Sequence, residues 1–297
     1  MTTHIGLIGC GPWGANILRD LRDLGCEVTV VARHDTSVER AQRTGAHAIV
    51  RSFDDLPDID GAVVATEATD HFRALSALLS RNIPIYCEKP ITTDIAHVRT
   101  LLDLAPERIF VMHKWRYHPA VERTRQVIAD GHLGHPVALR TTRHQWGTSH
   151  SDIDVSWTLM PHDLSIWLHL IGKIPEPVWA KGHWADGKLQ SMVGMLGESP
   201  WFHLDISCRA AEHSRVIVVE LEGGTMTISN RDYGIVTVQE LNQDTPTSLR
   251  VDNAMPLLAE LRAFVQHVQG GPPPMSSLSE AAHVVERVTQ LRRIAAD

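Results

Sequence analysis

The chain opens on a short apolar run, residues 4–8, that ends in Gly9-Cys10-Gly11-Pro12-Trp13-Gly14 and passes at once into a helical pattern holding Ile17, Leu18, Leu21 and Leu24. A Gly-x-Gly-x-x-Gly turn in that setting constrains the fold more than any other feature of the sequence. The first glycine permits the tight turn, the second lets backbone approach a pyrophosphate, and the third lets the helix pack on the strand. The helix N-terminus then favours the anion. Alone the motif is weak, since any glycine-rich turn matches it. Between a strand and an amphipathic helix it reads as a dinucleotide-binding fingerprint made by Gly9, Gly11, Pro12, Trp13 and Gly14.

Further apolar runs at 27–32, 48–50, 62–65, 83–87 and 109–113 alternate with stretches of helical period, which predicts repeated βαβ units and a parallel sheet. After Pro119 a helix over 120–130 stops at Gly131, and the texture changes. Strand-like runs at 137–146, 178–184, 189–196, 202–209, 215–221, 225–229 and 235–241 predict one large, mostly antiparallel sheet. A long helix over 157–171 interrupts them, and two more, 256–269 and 279–295, close the chain. The expected fold is therefore an α/β Rossmann domain, residues 1–119, followed by an α+β domain with a large open sheet, residues 120–297, for substrate binding and oligomerisation.

Composition excludes several function classes. The 28 basic residues are outnumbered by 35 acidic ones, and no dense Lys/Arg run offers a footprint for phosphate backbones, so no nucleic acid partner is expected. No window approaches the roughly 18 apolar residues of a membrane span, and the N-terminus lacks a basic leader, which points to the cytoplasm and away from membranes. The four cysteines are far apart and suit reduced packing residues. The 18 histidines form no HExxH or HxH pair, so no metal site is expected.

The second strand ends Val31-Ala32-Arg33-His34, and an NAD site usually carries an acidic residue at position 33 for the adenosine ribose hydroxyls. Arginine matches a 2′-phosphate instead, with Thr36 and Ser37 as further donors and His34 beside it, so NADP is the preferred cofactor. NAD is the alternative, with Asp35 on the ribose.

The fifth strand ends in Glu88-Lys89-Pro90, at the sheet edge where open α/β folds bind ligands. Together with the glycine fingerprint, Ala65-Thr66 followed by His71, Arg116-Tyr117-His118-Pro119, Gly131-His132-Leu133-Gly134 and Pro161-His162-Asp163, it resembles the Gfo/Idh/MocA oxidoreductases nearly end to end. The resemblance implies that Thr66, His71 and Glu88 lie at the dinucleotide. It further implies that Lys89 sits beside the nicotinamide and polarises the reacting oxygen, and that His162 gives or takes the proton. Many members of that family carry an aspartate four residues before this histidine, and here that position is Thr158.

On the helix over 157–171, Met160, Leu164, Trp167, Leu168 and Ile171 predict one apolar stripe, with His162 and His169 opposite it. Pro161 fits the first turn of such a helix, placing His162 near the positive dipole end, which favours the neutral ring. Substrate contacts are expected from Arg116, Tyr117, Arg143, His144, Trp146 and Thr158, whose chemistry suits a hydroxylated, sugar-like ring. The leading reading is an NADP-preferring oxidoreductase acting on a secondary alcohol or ketone of a carbohydrate, nucleotide sugar or cyclic polyol, assembled as a homodimer or homotetramer. The alternatives are an imine or conjugated double-bond reductase and a non-catalytic dinucleotide sensor.

Overall fold

In a computed structural model that describes residues 2–148, 151–252 and 255–296, the chain folds as two compact units. The first comprises Met1–Lys114 with Met255–Ala282, the second Trp115–Ala254 with His283–Asp297.

The first unit is a six-stranded parallel sheet built from β1 (His4–Ile8), α1 (Pro12–Asp23), β2 (Glu27–Val31), α2 (Asp35–Thr44), β3 (Ala48–Val50), β4 (Gly61–Val64), α3 (His71–Leu78), β5 (Ile85–Glu88), α4 (Ile95–Leu104) and β6 (Ile109–Met112). Its order, β3-β2-β1-β4-β5-β6, reverses direction between β1 and β4, so the carboxyl ends of those two strands flank a crevice. The short strands are apolar on both faces because helices cover each side. β4 and β6 are buried at every residue.

The second unit holds α5 (Pro119–Asp130), β7 (Pro136–Trp146), α6 (Val155–Leu170), β8 (Pro177–Ala185), β9 (Lys188–Leu196), β10 (Trp201–Ser207), β11 (Arg209–Leu221), β12 (Gly224–Ser229), β13 (Asp232–Glu240) and β14 (Thr247–Arg250). The sheet order is β14-β13-β12-β11-β7-β10-β9-β8. Its pairs are antiparallel except β7 with β10, as expected of a mostly antiparallel sheet. Alternate residues on β10 and β12 are buried, the mark of one covered and one open face. The last two helices are α7 (Pro256–Val268) and α8 (Leu278–Ala296).

Three sequence expectations change. A division after residue 119 puts α7 in the second domain, yet its Leu257, Leu261, Phe264 and Val265 enter the core of β1, β2 and α1 in the first unit. An amphipathic helix near a chain end joins whichever core its apolar stripe can complete, and sequence order does not decide which. The helix expected over 157–171 begins two residues earlier. Asp154 caps it, its carboxylate accepting from Ser156 N at 3.1 Å, so Pro161 lies in the interior and His162 is the eighth of sixteen residues. The dipole argument for His162 therefore fails, because the effect fades beyond the first turn. Nor is there one apolar stripe. α6 is buried nearly all round, with only His162, Leu168 and His169 short of full burial.

Candidate active site

On the first unit, the crevice is lined by the glycine turn. Gly9 has φ +93°, a region that side chains avoid, and a Cβ there would meet the Ala65 carbonyl at 2.9 Å. A Cβ on Gly14 would lie 2.6 Å from the Gly9 carbonyl, so the third glycine is what lets α1 start against the turn. Around Gly11, by contrast, a Cβ would meet nothing within 4 Å. Gly11 is the N-cap of α1 and makes no side-chain cap bond, and Pro12 has no N–H. The first-turn N–H groups thus face an open, Cβ-free approach, which fits the pyrophosphate of a dinucleotide.

Two side chains tie the carboxyl end of β5 to this turn. Trp13 Nε1 donates to Glu88 Oε1, and the other Glu88 oxygen accepts from Lys89 N at 3.1 Å. Lys114 lies 4.5 Å from the Trp13 ring centroid, a cation–π contact. Lys89 is half-buried on the turn these contacts brace. Thr66 is half-buried after β4.

His71, expected at the cofactor, is placed differently. It is 1% exposed, and its ring nitrogens face the Pro90 carbonyl at 2.8 Å and the Thr66 carbonyl at 3.1 Å. Both partners are acceptors, so the ring spans the turns after β4 and β5. His34 is exposed at the N-cap of α2 and makes no cap bond. Arg33 extends to Asp70 at 2.7 Å, and Asp35, proposed for the ribose, is held by Arg51 at 2.6 Å. Sequence reasoning missed Arg40, which reaches back from α2 to donate to the Cys10 carbonyl at 2.8 Å, inside the glycine turn. All four cysteines are free and buried. Burial pushes the Cys10 thiol up, against the pull of Arg40.

On the second unit, Arg143 and His144 cannot line one pocket. Successive strand residues point to opposite faces. Arg143 faces α6, its Nε on Asp163 Oδ1 at 2.5 Å and its guanidinium 4.4 Å from the Trp115 ring centroid. His144 faces the other way, where its Nε2 lies 2.9 Å from Asp205. Trp146 is 73% exposed at the strand end. Arg116 is buried and Tyr117 half-buried in the turn before α5.

Trp115 stacks on His118, and Tyr233 meets both rings edge-on at 5.7 and 5.2 Å. Burial pushes the Tyr233 hydroxyl up, opposed by Arg143 and Arg215. None of Asp163, Trp115 and Tyr233 was assigned a role from sequence. The signal for Asp163 was the one acidic residue on a helix that is otherwise uncharged or histidine-bearing.

Thr158 donates back to the Asp154 carbonyl at 2.9 Å and brings no charge to α6 one turn before His162. His169 lies 3.0 Å from Glu122, and burial lowers its pKa against the pull of that carboxylate.

Residues 3–113 match the family described as "Oxidoreductase family, NAD-binding Rossmann fold", Gfo/Idh/MocA. Among curated proteins, the chain is 32% identical over 156 residues to UDP-N-acetylglucosamine 3-dehydrogenase of Acidithiobacillus ferrooxidans, an alignment covering 50% of this chain and 49% of that protein. It is 27% identical over 225 residues to inositol 2-dehydrogenase 2 of Mycolicibacterium vanbaalenii, covering 68% and 65%. The alignments to the first of these relatives span about half of their length.

Solved structures share the whole fold. The Acidithiobacillus ferrooxidans UDP-N-acetylglucosamine 3-dehydrogenase superposes with a TM-score of 0.87 at 23% identity, covering 100% of this chain and 99% of that one. Levoglucosan dehydrogenase in complex with NADH and levoglucosan superposes at 0.88 and 15% identity, covering 100% and 98%. Among the described residues, no helix is long and apolar enough to cross a membrane.

Proposed function

We propose that the protein is an NADP-preferring oxidoreductase that interconverts a secondary alcohol and a ketone on a carbohydrate, nucleotide sugar or cyclic polyol. The observation that carries this reading is the brace from Trp13 to Glu88, which sets the Lys89 turn against the start of α1, beside the approach left open at Gly11. The names of several relatives, dehydrogenases of a nucleotide sugar, inositol or levoglucosan, support the substrate class. Arg33 and Arg40 support NADP, since both bring guanidinium groups to the crevice end of β2 and the glycine turn.

The bound dinucleotide supplies or accepts the hydride. Lys89, a fixed ammonium donor, holds and polarises the reacting oxygen. His162 takes the hydroxyl proton as the C–O bond becomes a carbonyl, and returns it in the reverse direction. A second reading, reduction of an imine or conjugated double bond, is favoured by Thr158, which supplies no carboxylate to raise the basicity of His162.

The test is Lys89→Ala. Turnover across a panel of sugars, keto sugars and imines is expected to fall by at least about a hundredfold while NADPH affinity, read by fluorescence titration, stays within about threefold. Equal turnover by the variant refutes the role of Lys89. The protein is further read as a cytoplasmic homodimer or homotetramer joined through the open sheet face, and a monomer by light scattering overturns that.

A further inference from the structure

Position 33 lacks the acidic side chain that would accept from adenosine ribose hydroxyls, yet the fold delivers a carboxylate to the tip of the Arg33 side chain from another element. Arg33 Nη2 donates to Asp70 Oδ2 at 2.7 Å. Asp70 directly precedes α3, 37 residues further along the chain. Arg73, one turn into α3, closes on the same group, with Nε on Oδ1 at 2.6 Å and Nη2 on Oδ2 at 2.8 Å. Asp70 is thus shared by two guanidinium groups, each about half exposed, while its own side chain is 21% exposed. Burial opposes its ionisation, but the Arg73 and Arg33 guanidinium groups outweigh that and hold its carboxyl below the usual range. It is an anion under all ordinary conditions.

We propose that Asp70 is a specificity-determining residue, and that the Arg33–Asp70 pair sets how the protein divides its binding between NAD and NADP. The inference rests on the dinucleotide reading above. A ribose 2′-hydroxyl is a donor, and the Asp70 carboxylate at the tip of Arg33 is the acceptor that β2 itself lacks. A 2′-phosphate is repelled by that same carboxylate and must take Arg33 away from it. Arg73 makes this exchange tolerable, because Asp70 keeps a bidentate partner when Arg33 turns to the phosphate. The pair therefore reads both cofactors, with Arg33 serving the 2′-phosphate and Asp70 the 2′-hydroxyl, while the Asp70 charge also opposes the phosphate.

Removal of the Asp70 charge therefore moves the two cofactors in opposite directions. Binding of NADPH and of NADH to the full chain is measured by calorimetry for wild type, Asp70→Asn and Arg33→Ala. Removing the carboxylate is expected to tighten NADPH by roughly tenfold, the scale of one unit charge acting on a phosphate dianion across a few ångströms of wet surface. The same change is expected to weaken NADH several-fold. Arg33→Ala is expected to weaken NADPH and leave NADH within about twofold.

An Asp70→Asn variant that moves both affinities in the same direction, or neither, overturns the proposal and leaves Asp70 as an anchor for α3. Wild-type protein that binds neither dinucleotide at millimolar concentration overturns the cofactor reading itself, and this inference with it.

Discussion

Glu260 offers a test of the first unit's interior in which the expected sign runs against intuition. It lies on α7 at 1% exposure, Tyr86 donates to its Oε2 at 3.3 Å, and its Oε1 has no hydrogen-bond partner. Burial pushes its carboxyl well above the ordinary value of 4.5, Glu88 adds to the rise, and Lys114 and Tyr86 oppose it. A carboxyl whose pKa is raised in the folded state keeps its proton there to higher pH than in the unfolded chain, where it ionises near its ordinary value. Its contribution to stability is thus fully present below pH 4.5 and is lost as pH rises toward the folded-state value, by about 1.4 kcal/mol for each pH unit.

Glu260→Gln keeps the size and the acceptor for Tyr86 but cannot ionise. Its amide brings two donors that need partners, so near pH 4.5 the variant is expected to be no more stable than wild type. Between pH 5.5 and 7.5 the difference is expected to swing toward the variant, by about 1.4 kcal/mol for each pH unit over which the folded carboxyl keeps its proton, because all other titrating groups are common to both proteins and cancel. Urea denaturation curves at three pH values in that window read the difference directly. Two proteins with parallel pH dependence would mean that Glu260 is ionised in the fold and served by Lys114, and the reasoning would be refuted.

Two further outcomes follow from the same kind of accounting. Asp163→Asn removes the charge that balances an Arg143 side chain that is 3% exposed, and denaturant unfolding is expected to show a loss of roughly 3–5 kcal/mol, against less than about 1 kcal/mol for the exposed pair partner in Asp35→Asn. Gly14→Ala places a methyl 2.6 Å from the Gly9 carbonyl and is expected to weaken both dinucleotides by at least about tenfold, whereas Gly11→Ala, with open space around it, keeps the fold and loses affinity only through the cofactor's approach. Equal folding stability for wild type and Gly14→Ala in thermal melts would show that the clash is relieved by a small shift of α1.

What the sequence revealed of this protein was local. The glycine turn, the six parallel strands and the alternating burial of β10 and β12 all follow from patterns within about ten residues, and the fold class follows from their order. β14 escaped notice because Thr-Ser-Leu-Arg is short, polar and exposed, with no apolar alternation to mark it. The start of α6 was misread for a different reason. The rule that proline avoids helix interiors argued for a later start than the Asp154 cap sets, and a helix buried nearly all round can carry a proline that an isolated one could not.

The candidate site divides along the same line. Gly9 packs on the Ala65 carbonyl after β4 and Gly14 on the Gly9 carbonyl, so motif and geometry coincide at the glycine turn. Arg33 was legible as a departure from an acidic residue, but its meaning depends on Asp70, and Arg143 acquires its role only through Asp163, 20 residues away on another element. A charged side chain's chemistry is set by the group that shares its surroundings. No spacing rule brings those two groups together; the reversal of strand order at β1 and β4 and the facing of α6 onto β7 do.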